Sequence, residues 1–409
     1  MALLRYGNDL QVQIELADGV LPDGPGMPRG EPLRDLDAAT TAALAEPLDY
    51  PPLAQSTTPS DRIVLALDHG TPQAAQVTAT VIHNLVTAGV DPDGITVLRC
   101  PADSDAGTSD PCRLLDETLR ERITLLAHDP TDRKQLAFLA VDKSGEAILI
   151  NRALHEADVV LSVGCLHGDE AAGYFGIHGS VYPTFSDAKT IHRFRGLGSL
   201  DGQGARKREL VADVEQAAWQ LGILFTIQLV PGPGEQVLHV LAGQSDSVVR
   251  RGRELYREAW SWPDPRQVSL AVAAIEGGPD RQTWENVGRA LQVARNFVDE
   301  DGIIVICSDL AARPGPAMQM LAKSSSRESA LRHVNKQRPV DALPAAQLAR
   351  VLDRNKVYLL SRLDPSVVEE LEMIPIAGPE ELARLALRYP SCVLLSNAPN
   401  ITVADQCHA

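Results

Sequence analysis

The sequence predicts an α/β protein of two domains, each with a mainly parallel open sheet flanked by helices, and a ligand cleft between them. Three observations carry this. Short apolar segments such as IVLAL at 63–67 alternate with stretches of helical periodicity, as expected of strands covered by helices on both faces. A proline-rich break, SWPDPRQ at 261–267, separates two such series. The chain also has 409 residues, more than one ordinary core accommodates. The expected units are therefore residues 1–260 with an extended arm over 1–60, a linker over 261–267, and residues 268–409.

Each element follows from its own pattern. Residues 3–16 alternate polar and apolar and predict an edge hairpin. Residues 21–60 are rich in Pro, Asp and Gly around one helical stretch at 37–45 and predict an arm. A strand at 63–67 leads through DHGTPQ into a helix at 73–88, with apolar Val77, Val81 and Leu85 on one face. A strand at 95–98, a helix at 113–121 and strands at 123–127, 147–150 and 159–163 follow. A helix at 206–221, strands at 223–230 and 237–241, and a helix at 246–260 close the first unit. The second unit opens with a strand at 268–275 and a helix at 284–297, then a strand at 303–307. Further helices, a strand at 357–360, helices at 365–371 and 379–387, and a strand at 392–395 complete it.

Composition narrows the functions. A formal net charge of −16 repels phosphate backbones, so nucleic acid is not an expected partner. No stretch approaches the 18 apolar residues of a membrane span, and the first residues lack the apolar core of a signal peptide. The six cysteines are scattered without a CxxC pair, which suits free thiols in a reducing cytoplasm. Nothing in the sequence fixes an oligomeric state.

In open α/β sheets ligands bind beyond the carboxyl ends of strands. Three loops qualify: Asp68 to Pro72, the Gly-rich segment 164–205, and Glu276 to Pro279. The second gathers His167, Asp169, His178, Lys189, His192 and Arg195. Two of its histidines could ligate a metal, with Asp169 or His69 as a third ligand. Their spacing matches no compact zinc motif, and polar loop residues are the alternative. The glycines at 196–204 read as a flexible connector or a phosphate cradle. Gly277 and Gly278 stand between a strand end and a helix start, where they permit close approach of a ligand or form only a turn. Cys165 and Cys307 end strands and read as small core residues.

Several blocks resemble the nickel-dependent lactate racemase family. They include RGEPLRDLDAATTAALAEPLDYPPLAQSTTPSDRIVLALDHGTP, ITLLAHDPTDRKQLAFLAVDKSGEAILINRALHEADVVLSVG, GYFGIHGSVYP and EGGPDRQTWENVGRAL. The likeness covers about four-fifths of the chain and is carried by whole blocks rather than by one motif. It implies a nickel-pincer nucleotide tethered to a lysine, one histidine on the nickel, and hydride transfer from and to the substrate α-carbon. Carried over by position, the family's loop aspartate is kept as Asp68 and its arginine becomes Thr71. Its catalytic histidines fall on Ser104 and Asp169, its tether lysine on Gly179 and its nickel-ligating histidine on Arg195. A glutamine and a lysine of the second unit fall on Asn286 and Arg289. A register shift of one or two residues would bring His167, His178 or His192 into a family role.

The resemblance thus implies an isomerase, a racemase or epimerase of a 2-hydroxyacid or a related polyol or sugar, with the nucleotide and its nickel bound non-covalently. Asp169, Ser104 and His178 are the candidate catalytic residues. Asp68, Thr71, Gly176, Gly179, Arg195, Gly277 and Gly278 are candidates for the cofactor. Asn286 and Arg289 are candidates for the substrate, and His167 and His192 for a metal. Ser104 has no intrinsic basicity and Arg195 cannot act as a base, so lactate itself is not the expected substrate. The alternative is a catalytically degenerate member that binds a small molecule or a nucleotide.

Overall fold

The computed structural model describes residues 2–15, 27–100, 110–142, 145–200, 204–262 and 265–403. It opens on a hairpin, β1 (Ala2–Tyr6) and β2 (Leu10–Ile14), paired antiparallel. Strands β3 (Ile63–Leu67), β4 (Ile95–Arg99) and β5 (Thr124–Ala127) follow. A second hairpin, β6 (Leu136–Val141) with β7 (Ala147–Asn151), comes next. Then come β8 (Val159–Cys165), β9 (Phe225–Pro231) and β10 (Val237–Gln244). Six of these form one sheet in the order β10-β9-β8-β3-β4-β5, parallel except where edge strand β10 runs against β9.

Strand β3 is buried along its whole length, which is why it reads as an unbroken apolar run. The helices Leu36–Ala45 and Ala74–Thr87 bring Leu36, Leu44, Val77, Val81 and Leu85 against one face of the sheet. On the other face Leu154, Phe175, Phe185, Leu210 and Val214 close a second core layer.

Past a short strand β11 (Ser261–Trp262), the second half builds β12 (Val268–Ala274), β13 (Val298–Cys307), β14 (Lys356–Leu360), β15 (Ile374–Ile376) and β16 (Cys392–Leu395). Their order is β15-β14-β13-β12-β16, all parallel. The period of two divides β12 cleanly. Ala271, Ala273 and Ile275 face the helices Trp284–Ala294, Pro316–Lys323, Arg327–Gln337 and Ala342–Leu352, while Leu270, Val272 and Ala274 face the opposite way.

The structure corrects several expectations. The N-terminal hairpin buries Leu4, Tyr6, Val12 and Ile14 on the second sheet, beside Leu270 and Val305, rather than edging the first. Its turn joins the end of β12 through hydrogen bonds from Gly7 N to Ile275 O and from Gly277 N to Gly7 O. Strand β7 is not part of the parallel sheet, since β6, unforeseen in the sequence, pairs with it separately. The helix expected at 113–121 is Glu117–Arg122, because Asp116 caps it by accepting from Leu119 N at 3.0 Å. Segment 164–205 holds helical turns at Ile177–Ser180 and Leu197–Leu200 and a helix at Ala188–Phe194. Within the break at 261–267, β11 pairs in parallel with β17 (Thr402–Val403), so the end of the second half returns to the junction.

In the first sheet the direction of strand ordering reverses at β3, between β8 and β4; in the second it reverses at β12, between β16 and β13. Crevices form at the carboxyl ends of such strands. Loops from both reversal points supply the site described next.

The arm is held by a close crossing. Leu48 N donates to Ala242 O and Gln244 N donates to Leu48 O, at 2.8 and 2.9 Å. Gly243 between them has φ +136°, and a Cβ there would lie 2.3 Å from Leu48 O. Gly243→Ala is expected to lower the urea midpoint by the equivalent of about 2–4 kcal/mol without changing the slope. Gly378→Ala, where a Cβ meets nothing within 4 Å, should stay within about 0.5 kcal/mol of the parent.

Candidate functional site

A cavity of about 400 Å³ lies where the two sets of strand ends meet. The first half contributes the loop after β3 (Asp68, His69, Gly70), Cys100 after β4, and the segment after β8 with His167. The second half contributes Arg281, Asn286 and Arg289 after β12, and Asp341 and Gln347 near the start of Ala342–Leu352.

The loop after β3 turns tightly because it is tied to itself. Asp68 N donates to Val163 O at 2.8 Å, and Asp68 Oδ1 accepts from His69 N at 2.9 Å. Thr71 Oγ1 donates back to Asp68 O at 2.9 Å. Gly70 sits at φ +71°, a conformation that favours glycine. His69 is thereby presented at the pocket wall.

His167 follows β8 and is half-buried, its ring edge-on to Tyr174 at 5.4 Å. Its Nδ1 is buried without a hydrogen-bond partner. Burial first, then the positive charges of Arg289 and Arg281, hold its pKa well below the usual histidine range. It is a neutral imidazole at pH 7.

Three arginines surround it at different degrees of satisfaction. Arg289 donates to Glu285 Oε1 at 2.6 Å and to Ala172 O at 3.2 Å. Arg281 is buried, yet its Nε and Nη2 have no hydrogen-bond partner, and Glu235 Oε1 at 3.8 Å is too far to serve as one. Its main chain is fixed by Asn286, whose Nδ2 donates to Arg281 O at 2.8 Å. Gly277, at φ +110°, leaves room for this side chain, since a Cβ there would sit 2.7 Å from Arg281 Cγ. Arg195 lines the same cavity, and its guanidinium makes no hydrogen bond or close ion pair among the described residues, although burial lowers its pKa. Desolvated guanidinium N–H groups without hydrogen-bond partners are costly, and a bound anion would remove that cost.

A neighbouring recess of about 350 Å³ shares Asp68, His69, Gly70, Asp280 and Arg281 with this pocket. Thr71, Gly278, Arg99 and the first residues of the helix Ala74–Thr87 line it.

The fold brings together some of the residues singled out in the sequence and not others. Asp68, His167, Gly176, Gly179, Arg195, Asn286 and Arg289 line the pocket, and Thr71 and Gly278 line the recess. Gly277 acts on the site only by making space for Arg281. Asp169 points elsewhere: its carboxylate lies 3.2 Å from Arg253 and 4.0 Å from Arg257 on the helix Ser245–Trp260. His178 is buried behind the pocket, 3.9 Å from Glu215, and burial pushes its pKa down to about 4. His192 bonds through Nε2 to the Gln337 carbonyl and does not join His167. Ser104 lies outside the described residues. Among the described residues no three His, Cys, Asp or Glu side chains converge as a metal site.

Sequence reasoning missed Arg281 and Lys207. Lys207 is buried; its Nζ donates to the carbonyls of Asp169 and Ala171 at 2.5 and 3.2 Å, and burial lowers its pKa to about 8. It thus fixes the segment between His167 and Gly173. The position of Arg281 after a glycine-proline turn at a strand end was the available signal for that residue.

A model of the lactate racemase N-terminal domain matches residues 6–205. The chain is 23% identical to the lactate racemase of Lactiplantibacillus plantarum over 263 residues, 61% of each chain. It is 20% identical to that of Thermoanaerobacterium thermosaccharolyticum over 283 residues, 66% of each. The matches therefore span just under two thirds of these curated relatives. The structure of the lactate racemase apoprotein from T. thermosaccharolyticum superposes with a TM-score of 0.78 at 15% identity, covering 99% of this chain and all of that one. A Thermotoga maritima protein superposes at 0.65 with 14% identity, over 91% of this chain and 99% of its own. At such identities these two show a shared fold. Residues 6–205 thus match the N-terminal domain of the lactate racemase family, and the chain as a whole has the fold of a lactate racemase apoprotein.

Desolvation is the first cause of lowered pKa in His128, His167 and His178. Unfolding frees each to bind a proton below its ordinary pKa of 6.5. Stability present above that pH is therefore lost as pH falls; for His178 the loss runs down to about 4. Each such histidine should shift the unfolding equilibrium by about tenfold per pH unit within its window. Urea titrations from pH 7.5 downward should show this slope, and His178→Asn should flatten it.

Proposed function

We propose that the chain is an isomerase, a racemase or epimerase of a 2-hydroxyacid or a related polyol or sugar, with its reaction centred on His167. The observation that carries this is a neutral imidazole with a buried, unpartnered Nδ1 in a pocket shared with the cationic Arg281 and Arg289. A carboxylate bound by these two guanidiniums would offset the charges that depress His167. The pKa of the imidazole would then rise, making it a better acceptor for the hydroxyl proton of the same substrate. His69, in the loop after β3, supplies a second imidazole to the same cavity.

The pocket residues fit a nickel-pincer nucleotide carried without a covalent bond. The unpartnered Arg195 would hold its phosphate, and a pocket imidazole would face its metal. No lysine lines the pocket among the described residues, and Gly179 offers no amine. When bound, such a group supplies a hydride-accepting centre for the substrate α-carbon. The protein's own part is to grip the substrate's anionic end, to hold the hydroxyl proton at His167, and to keep the charged groups out of bulk water.

The missing amine also favours a second reading, a degenerate member that binds a small molecule or nucleotide without turning it over. Expression alongside enzymes that make the nickel nucleotide separates the two. The isomerase reading expects about one nickel per chain, a nucleotide lost on denaturation, and interconversion of hydroxyacid stereoisomers on a chiral column. His167→Gln should lower turnover about 10²- to 10⁴-fold while nickel is retained. A Cβ at Gly179 would meet only Phe175 Cβ, at an ordinary 3.6 Å, so Gly179→Lys should be tolerated and should carry the nucleotide as a covalent mass adduct. A chain free of nickel and nucleotide would leave the binding-protein reading.

A further inference from the structure

A second cavity, of about 1000 Å³, shares Arg289 and Gln347 with the pocket and is otherwise lined by different residues. It runs along the helices Trp284–Ala294 and Ala342–Leu352 and is bounded by Tyr256, Pro399 and Ile401. Its charge is opposite to that of the chain. The protein carries a formal net charge of −16, yet Arg289, Arg295 and Arg350 line this cavity against a single carboxylate among the described residues, Glu170. Glu170 is already engaged, accepting from the Thr402 hydroxyl.

The neutral side chains around it donate to one another and to main-chain carbonyls. Gln347 Nε2 donates to Gln292 Oε1 at 2.8 Å, and Gln292 Nε2 donates to Glu170 O at 3.2 Å. Asn296 Nδ2 donates to Gln292 O at 3.3 Å, and Gln267 Nε2 donates to Asn296 O at 3.3 Å. The exposed side chains of Arg295 and Arg350, by contrast, make no hydrogen bond or ion pair among the described residues. The amides of the wall are tied to one another and to main-chain carbonyls, and the charge it presents belongs to guanidiniums.

We propose that this cavity is a second ligand site, for a small molecule carrying two or more negative charges on phosphoryl or carboxylate groups. Arg295 and Arg350 bind it and Arg289 completes the positive surface. Two guanidiniums set on neighbouring helices suit a ligand with spaced anionic groups better than a single oxyanion. Because Arg289 also reaches the pocket, an anion here competes for the same cation, so the two sites are coupled negatively and reciprocally.

Calorimetry on the full chain at low ionic strength tests this, with tripolyphosphate and citrate as probes. At least one should bind, and its affinity should fall more than tenfold in Arg295→Glu/Arg350→Glu while the melting temperature stays that of the parent. Arg295→Lys/Arg350→Lys should recover part of the affinity. Arg195→Ala, which alters only the first pocket, should leave it unchanged. Preference for tripolyphosphate assigns phosphoryl chemistry, and preference for citrate assigns carboxylate chemistry. Absence of binding by both probes, or binding lost with Arg195→Ala and kept in the charge-reversed variant, overturns the proposal.

Discussion

The site depends on one buried amide. Gln282 Nε2 donates to Ile275 O and Gly277 O, at 3.2 and 2.8 Å, while its Oε1 accepts from Ser308 Oγ and Asp309 N, at 2.7 and 2.8 Å. All four bonds bridge the carboxyl ends of adjacent parallel strands, where backbone groups run out of ladder partners. Satisfying them fixes the turn that begins at Gly277, and that turn places Arg281 against the cavity. The amide is fully used, so any shorter or charged replacement would strand buried polar groups.

From that anchor the electrostatics follow. An acidic chain has gathered three guanidiniums around one cavity and left two of them without hydrogen-bond partners among the described residues. Burial strengthens their field because little water screens it, and His167 feels it directly. The imidazole and the arginines therefore form one coupled unit. What binds the cations also sets the basicity of the histidine. The proposed reaction needs a gripped anion and a nearby base; of the residues in this unit, Arg289 falls on a position that a gap-free alignment assigns, whereas His167 and Arg281 do not.

Much of the fold was legible because it rests on local patterns. The five buried residues of β3 and the alternation along β12 are readable as strands without any knowledge of their neighbours. The loops at strand ends were legible too, since sheet topology sends ligands there. What the sequence hid depends on long-range contact. Asp169 and His167 are two residues apart in the same loop, yet one pairs with Arg253 across the surface and the other turns into the cavity. The first hairpin alternates like any edge hairpin, and nothing local tells which of two sheets it covers. Arg281 looks like one more polar loop residue until Gly277 and Asn286 are seen to hold it inside.

The coupling of His167 to its arginines is most directly measured by NMR titration of its imidazole nitrogens, with and without a bound oxyanion such as oxalate. Its resonance should stay that of the neutral ring well below pH 6.5 in the free protein, move toward ordinary histidine behaviour in Arg281→Met and Arg289→Met, and shift the same way when the anion binds. A His167 that titrates normally in the free protein, or that ignores both the substitutions and the anion, would contradict the coupling.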